Sequence, residues 1–233
     1  MKKILLTLLA LVGTMSMNAQ IMQIYNGETL VKEYKASEAT HVVFKEVPTT
    51  GTEKRTDNID VKWVQLWENG PKFAEYNVGA ANNKAEDYGG YYAWGGSQNK
   101  GQDKKSGTDA LSGDSDTATK LWGSNWRMPT KEEFDALLNN QNCTCTWTTQ
   151  NGVNGLLCKG KENTAYSSNS VFLPAAGGCD YGDVFDQGDD GGYWSSTPNG
   201  SNRAYDLDFF SGNQYVLSSL RDYGFSVRPV LAE

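Results

Sequence analysis

The chain has 233 residues, 28 acidic and 21 basic, for a formal net charge of −7 at pH 7. An acidic chain without a Lys/Arg cluster repels a phosphate backbone, which argues against nucleic acid as a partner. Beyond the first residues no run is apolar enough for a membrane span, which needs roughly 20 residues.

Met1-Lys2-Lys3 is basic, Ile4–Val12 is almost wholly apolar, and small and polar residues follow to Ala19. This is the three-part layout of a secretory signal peptide over residues 1–19, so the mature chain is expected to be exported. Without Lys2 and Lys3 the basic count falls from 21 to 19 and the net charge from −7 to −9.

Residues 20–45 read as a small β unit. Ile21–Tyr25 is strand-like, Asn26-Gly27 is a strong hairpin turn, Thr29–Tyr34 returns, and His41–Phe44 offers a third strand. Residues 46–60 are polar, contain Pro and Gly, lack apolar periodicity and read as a linker. Residues 61–233 form the main domain.

That domain opens with strands at Val61–Trp67 and Lys72–Val78 around Glu68-Asn69-Gly70. In Tyr88–Gly96 the glycines permit close backbone approach while Tyr91, Tyr92 and Trp94 fill the core. Residues 97–118 read as an exposed loop. Thr130–Leu138 is the clearest helix: Thr130 and Glu133 form a capping box, Phe134, Leu137 and Leu138 share one face, and Trp126 is expected beneath it. No second helix is legible. Strands are expected at Cys145–Thr149, Gly155–Lys159, Ser170–Pro174, Gly192–Ser196, Ala204–Phe210, Tyr215–Ser218 and Gly224–Val230. The 27 aromatic residues and 25 glycines favour short strands and irregular loops over a helix bundle. Cys143, Cys145, Cys158 and Cys179 allow three pairings, or burial as free thiols.

Several segments recur in a known order: Asn77-Val78-Gly79-Ala80, Tyr88-Gly89-Gly90-Tyr91-Tyr92-Ala93-Trp94-Gly95, Trp126-Arg127-Met128-Pro129-Thr130, Val171-Phe172-Leu173-Pro174-Ala175-Ala176-Gly177, Gly192-Tyr193-Trp194-Ser195-Ser196-Thr197 and Gly224-Phe225-Ser226-Val227-Arg228-Pro229-Val230. Over residues 60–231 this order resembles the Fibrobacter major paralogous domain family of secreted Bacteroidetes-type proteins. The resemblance implies an α+β, C-type-lectin-like fold, related to formylglycine-generating enzymes and to the variable proteins of diversity-generating retroelements. Trp194 reads as a core anchor, and Arg228 and Arg127 as guanidiniums satisfied by carbonyls or a carboxylate.

Catalysis finds little support. The one histidine, His41, lies in the N-terminal β unit, and neither a His-Glu-x-x-His zinc motif nor a Walker loop is present. The resembled enzymes use paired cysteines near the chain end, whereas the last here is Cys179. Asp180, Asp183, Asp186, Asp189 and Asp190 read as a solvated acidic loop rather than a calcium site, since neither the helix-loop-helix spacing nor the Glu-Pro-Asn and Trp-Asn-Asp motifs of sugar-binding lectins occur. No cofactor and no metal are expected.

A binding surface is expected from Asn199, Ser201, Asn202, Arg203, Tyr205, Asp206, Asp208, Gln214, Tyr215, Arg221, Asp222 and Tyr223. Tyr supplies rigid contact area, and short polar residues supply adaptable hydrogen bonds. In the resembled variable proteins this region displays the ligand surface. Alternation through Tyr205-Asp206-Leu207-Asp208-Phe209 exposes one set, which here would place Asp206 and Asp208 outward. The expected function is an exported, non-catalytic binding or adhesion module for a protein or glycan, without a membrane span. The alternatives are a surface or fimbrial subunit whose N-terminal strands add to a neighbour's sheet, and an enzyme of the formylglycine-generating superfamily or a glycan hydrolase.

Overall fold

The computed structural model describes residues 21–26, 29–35, 48–97 and 103–232. The expected signal peptide, His41 and the strand at His41–Phe44 lie outside these. The chain divides into two compact units, residues 1–47 and 48–233. In the first, β1 (Ile21–Asn26) pairs antiparallel with β2 (Thr29–Lys35), with a register shift between Ile24 and Tyr25.

The second unit is mostly short antiparallel strands with two helices, an α+β arrangement. β3 (Thr50–Lys54), β4 (Asp60–Gln65), β5 (Lys72–Ala74), β6 (Trp126–Arg127) and β15 (Val230–Leu231) form a sheet in the order β3-β4-β5-β15-β6. The strand β3 corrects the expectation of a linker through residue 60. It is polar and half-exposed, an edge strand held by its ladder to β4, so it carries no apolar period to read. β7 (Cys143–Gln150), β8 (Val153–Gly160) and β9 (Ser170–Pro174) form a second sheet. Cys145 and Cys158 face each other across β7 and β8 and are disulfide-bonded, while Cys143 and Cys179 are buried free thiols. β10 (Gly178–Asp180) and β11 (Asp183–Phe185) make a small hairpin, and β12 (Asp190–Asn199), β13 (Arg203–Phe210) and β14 (Asn213–Leu220) make a three-stranded sheet in that order.

Helix α1 (Thr117–Trp122) occupies the end of the expected loop and continues past it. Its six residues are too few to show a helical period; only its cap, Asp116, marks it, accepting from the Thr119 N–H at 3.0 Å. α2 (Lys131–Leu138) has the expected capping box: Thr130 Oγ1 accepts from the Glu133 N–H at 3.2 Å, and Glu133 Oε2 accepts from the Thr130 N–H at 2.8 Å. Arg127 donates to both Glu133 oxygens, at 2.7 and 2.6 Å.

Among the described residues three apolar clusters form the core. Trp94, Trp122, Trp126, Trp194 and Phe225 belong to one; Phe73, Phe134, Leu137, Tyr193, Phe209 and Val230 belong to another; Tyr91, Ala176 and Cys179 make a small third. Trp126 therefore packs edge-on to Trp122 of α1, at 5.4 Å, in a cluster that does not hold α2's buried Phe134 and Leu137. The final segment passes between the sheets: Phe225 exchanges backbone hydrogen bonds with Tyr92, and Ser226 exchanges them with Gly192 and Trp194. Arg228 is fully buried, donating to Asn77 Oδ1 at 2.8 Å and to the Ala74 and Glu75 carbonyls at 3.1 Å. Burial pushes its pKa down to about 10.

Candidate functional site

The outer face of the β12–β14 sheet is built by register. Paired residues of antiparallel strands share a face, and alternate residues along a strand share it too. The pairs Gly192–Asp208–Tyr215 and Trp194–Asp206–Leu217 therefore stand side by side, with Asp190 opposite Phe210 at one end. Gly191 and Gly192 shape the floor. A Cβ on Gly192 would meet the Phe225 ring at 2.7 Å, and one on Gly191 would collide with the Phe209 ring. The two bare positions thus let aromatic rings approach β12 closely from opposite faces. Phe209 stacks on Tyr193 at 5.8 Å behind the sheet, where α2 packs, while on the outer face Tyr223 stacks on Phe225 at 6.1 Å and meets Phe185 of β11 at 6.2 Å.

This face combines exposed apolar groups with carboxylates. Tyr215 is 46% exposed and Leu217 47%, with Phe210 and Phe185 also open to solvent. Asp190 and Asp208 are half-buried, and Asp206 is buried. Ser219 lies near enough to favour the ionised Asp206 carboxylate, but Asp206 Oδ1 has no hydrogen-bond partner. Burial first, then the charges of Asp208 and Asp190, push Asp206 up to about 7. Burial, then Asp208 and Asp186, push Asp190 up to about 6, and burial raises Asp208.

The expected site residues divide between faces. Asp206, Asp208, Tyr215 and Tyr223 belong to the outer face. Tyr205 and Gln214 point to the opposite face, Tyr205 with Lys131 Nζ 5.3 Å from its ring centre. Arg203 and Asn199 are tied to Ser218, with Asn199 Nδ2 2.9 Å from its hydroxyl. Ser201 and Asn202 are exposed in the β12–β13 turn. Asp222 makes an ion pair with Lys104 at 3.0 Å. Arg221 is not a surface contact. It is buried, lies 4.0 Å from the Trp94 ring centre, and donates to the carbonyls of Lys105, Gly107, Gly200 and Arg203. The outward placement expected of Asp206 is corrected in its burial, because its neighbours on the face are Trp194 and Leu217. The sequence reading missed Leu217 and Asp190; alternation through Asn213-Gln214-Tyr215-Val216-Leu217 carried the signal for the first.

Among the described residues no group of three His, Cys, Asp or Glu side chains is placed to hold a metal ion, and no helix is long and apolar enough to cross a membrane. A separate cleft of about 610 Å³ lies between β3–β5 and β9, bordered by Thr50, Lys62, Trp63, Glu75, Ser170 and Phe172.

Residues 147–230 match a domain family of unknown function, DUF8237. The matched stretch runs from within β7 to β15 and contains the whole β12–β14 sheet. No curated protein and no solved structure matches the chain.

Proposed function

We propose that the chain is an exported, non-catalytic recognition module of C-type-lectin-like architecture that presents the outer β12–β14 face to a protein or glycan ligand. The observation that carries this reading is the coincidence on one sheet face of exposed Tyr215 and Leu217 with the carboxylates of Asp190, Asp206 and Asp208. Exposed apolar side chains beside polar groups that carry raised pKa values mark interaction sites. The sheet behind them is anchored by Tyr193, Phe209 and α2, so the backbone of the face is in place before binding, which lowers the ordering cost. Export is supported by the signal-peptide layout and by the Cys145–Cys158 disulfide, since disulfides persist in oxidising compartments. The lectin-like architecture is supported by the ordered motifs and the two-helix, antiparallel α+β arrangement.

The test is a protein and glycan array probed with the full chain and with a Tyr215→Ala/Leu217→Ala variant, accompanied by a glycan turnover screen. The reading expects a ligand bound by the natural chain and lost by the variant at an unchanged unfolding midpoint. Ligand binding that survives the double substitution would refute this face. Glycan hydrolysis abolished by Asp190→Asn or Asp208→Asn would replace recognition with catalysis.

A further inference from the structure

Bases are scarce in the part of the chain that builds this face. Between Val171 and Leu220 lie seven aspartates and one basic residue, Arg203, so this stretch of 50 residues carries −6, against −7 for the full chain and −9 without residues 1–19. Arg203 is engaged with Ser218, and the next base, Arg221, is buried against backbone carbonyls. Asp190, Asp206 and Asp208 have no ion pair among the described residues, and Asp206 keeps an oxygen without a hydrogen-bond partner at 1% exposure. A buried, unpaired acceptor of this kind is costly unless a ligand supplies a donor or a compensating charge.

The carboxylates do not converge as metal ligands do. They sit at alternate positions of β13 and across from it on β12, spread along a face flanked by Tyr215, Leu217 and Phe210. That spacing suits a planar group with several divergent donors, and a guanidinium carries five N–H donors and also stacks on aromatic rings. Exposed apolar neighbours suit an apolar residue beside it.

We propose that the outer β12–β14 face and the adjoining β10–β11 hairpin dock a cationic protein segment, which sets an arginine over Asp190 and Asp208, above buried Asp206, and an apolar side chain against Tyr215 and Leu217. This inference rests on the recognition reading of the same face and names its ligand class. Charge complementarity selects the partner: a protein segment of opposite sign is steered to this face and held there, whereas acidic surfaces are repelled.

The experiment titrates the full chain by calorimetry with three short peptides alternating Phe with Arg, with citrulline or with Glu, and separately with neutral and acidic oligosaccharides. The arginine peptide is expected to bind, with affinity falling about tenfold or more for citrulline and for Asp190→Asn/Asp208→Asn, the scale of losing a close charge pair. Glu68→Gln/Glu162→Gln makes the same charge change at exposed acids elsewhere and should leave binding within about twofold. Equal loss from that pair would mean general attraction by net charge and would overturn the site. Equal binding of the citrulline peptide would overturn guanidinium recognition while leaving the recognition reading intact if Tyr215→Ala/Leu217→Ala still abolishes it. Oligosaccharide binding at this face, without peptide binding, would overturn the cationic partner alone. Absence of binding by every probe would overturn this inference, while the array would still judge the recognition reading.

Discussion

Asp206 and Arg228 are both buried ionisable groups, and each keeps one polar atom, Oδ1 and Nη2, without a hydrogen-bond partner. Arg228 nonetheless reaches three acceptors from Ala74, Glu75 and Asn77, whereas Asp206 stands among like-charged neighbours. Burial foremost raises the folded pKa of Asp206 to about 7, against roughly 3.9 unfolded. The folded state therefore holds a proton that the unfolded chain releases between these values, so this group's favourable contribution is full below about pH 4 and is lost as pH rises through about 7. Asp206→Asn should flatten the fall of the unfolding midpoint over that window and raise the midpoint at pH 8, as thermal melts would show. A midpoint at pH 8 lower than the natural chain's would contradict this reading. The burial of Arg228 was legible because Arg-Pro closes the last strand-like motif. That of Arg221 was not, because its acceptors come from Lys105, Gly107 and the Gly200 turn, which only tertiary folding brings together.

Among the elements, those with a complete local signature were legible and those defined by partners were not. α2 announced itself through Thr130, Glu133 and an apolar face; Thr130→Ala should cost about 1 kcal/mol in chemical denaturation, through loss of the cap to the Glu133 N–H. β13 read as a strand, but its facing did not follow from alternation, because as the sheet's central strand it buries Ala204 and Asp206 on one side and Leu207 and Phe209 on the other. The disulfide was one of three pairings until the β7–β8 register set Cys145 opposite Cys158. Its closed loop, with a sequence separation of 13, is of the length for which chain-entropy arguments give about 3 kcal/mol. Cys145→Ser/Cys158→Ser should lose stability on that scale. Cys143 stays inert to alkylation in the native chain, since burial pushes its thiol up to about 11; native-state alkylation followed by mass spectrometry checks this.

At the scale of the whole molecule, the sequence conveyed net charge, strand-rich character and the part of the chain from which the candidate face is drawn. It did not convey which of those residues share a surface. Register separates Tyr205 and Gln214 from Asp208 and Tyr215, while Gly192 and Phe225 bring Tyr223 and the β11 hairpin to the same face. Recognition by that face is the central claim, and side-chain footprinting tests it most directly. The full chain would be oxidised by hydroxyl radicals with and without the array-identified ligand. The account predicts that ligand lowers the reactivity of Phe185, Phe210, Tyr215 and Leu217 together. Protection confined to Trp63 and Phe172 at the β3–β9 cleft, with Tyr215 and Leu217 as reactive as in the free chain, would contradict it.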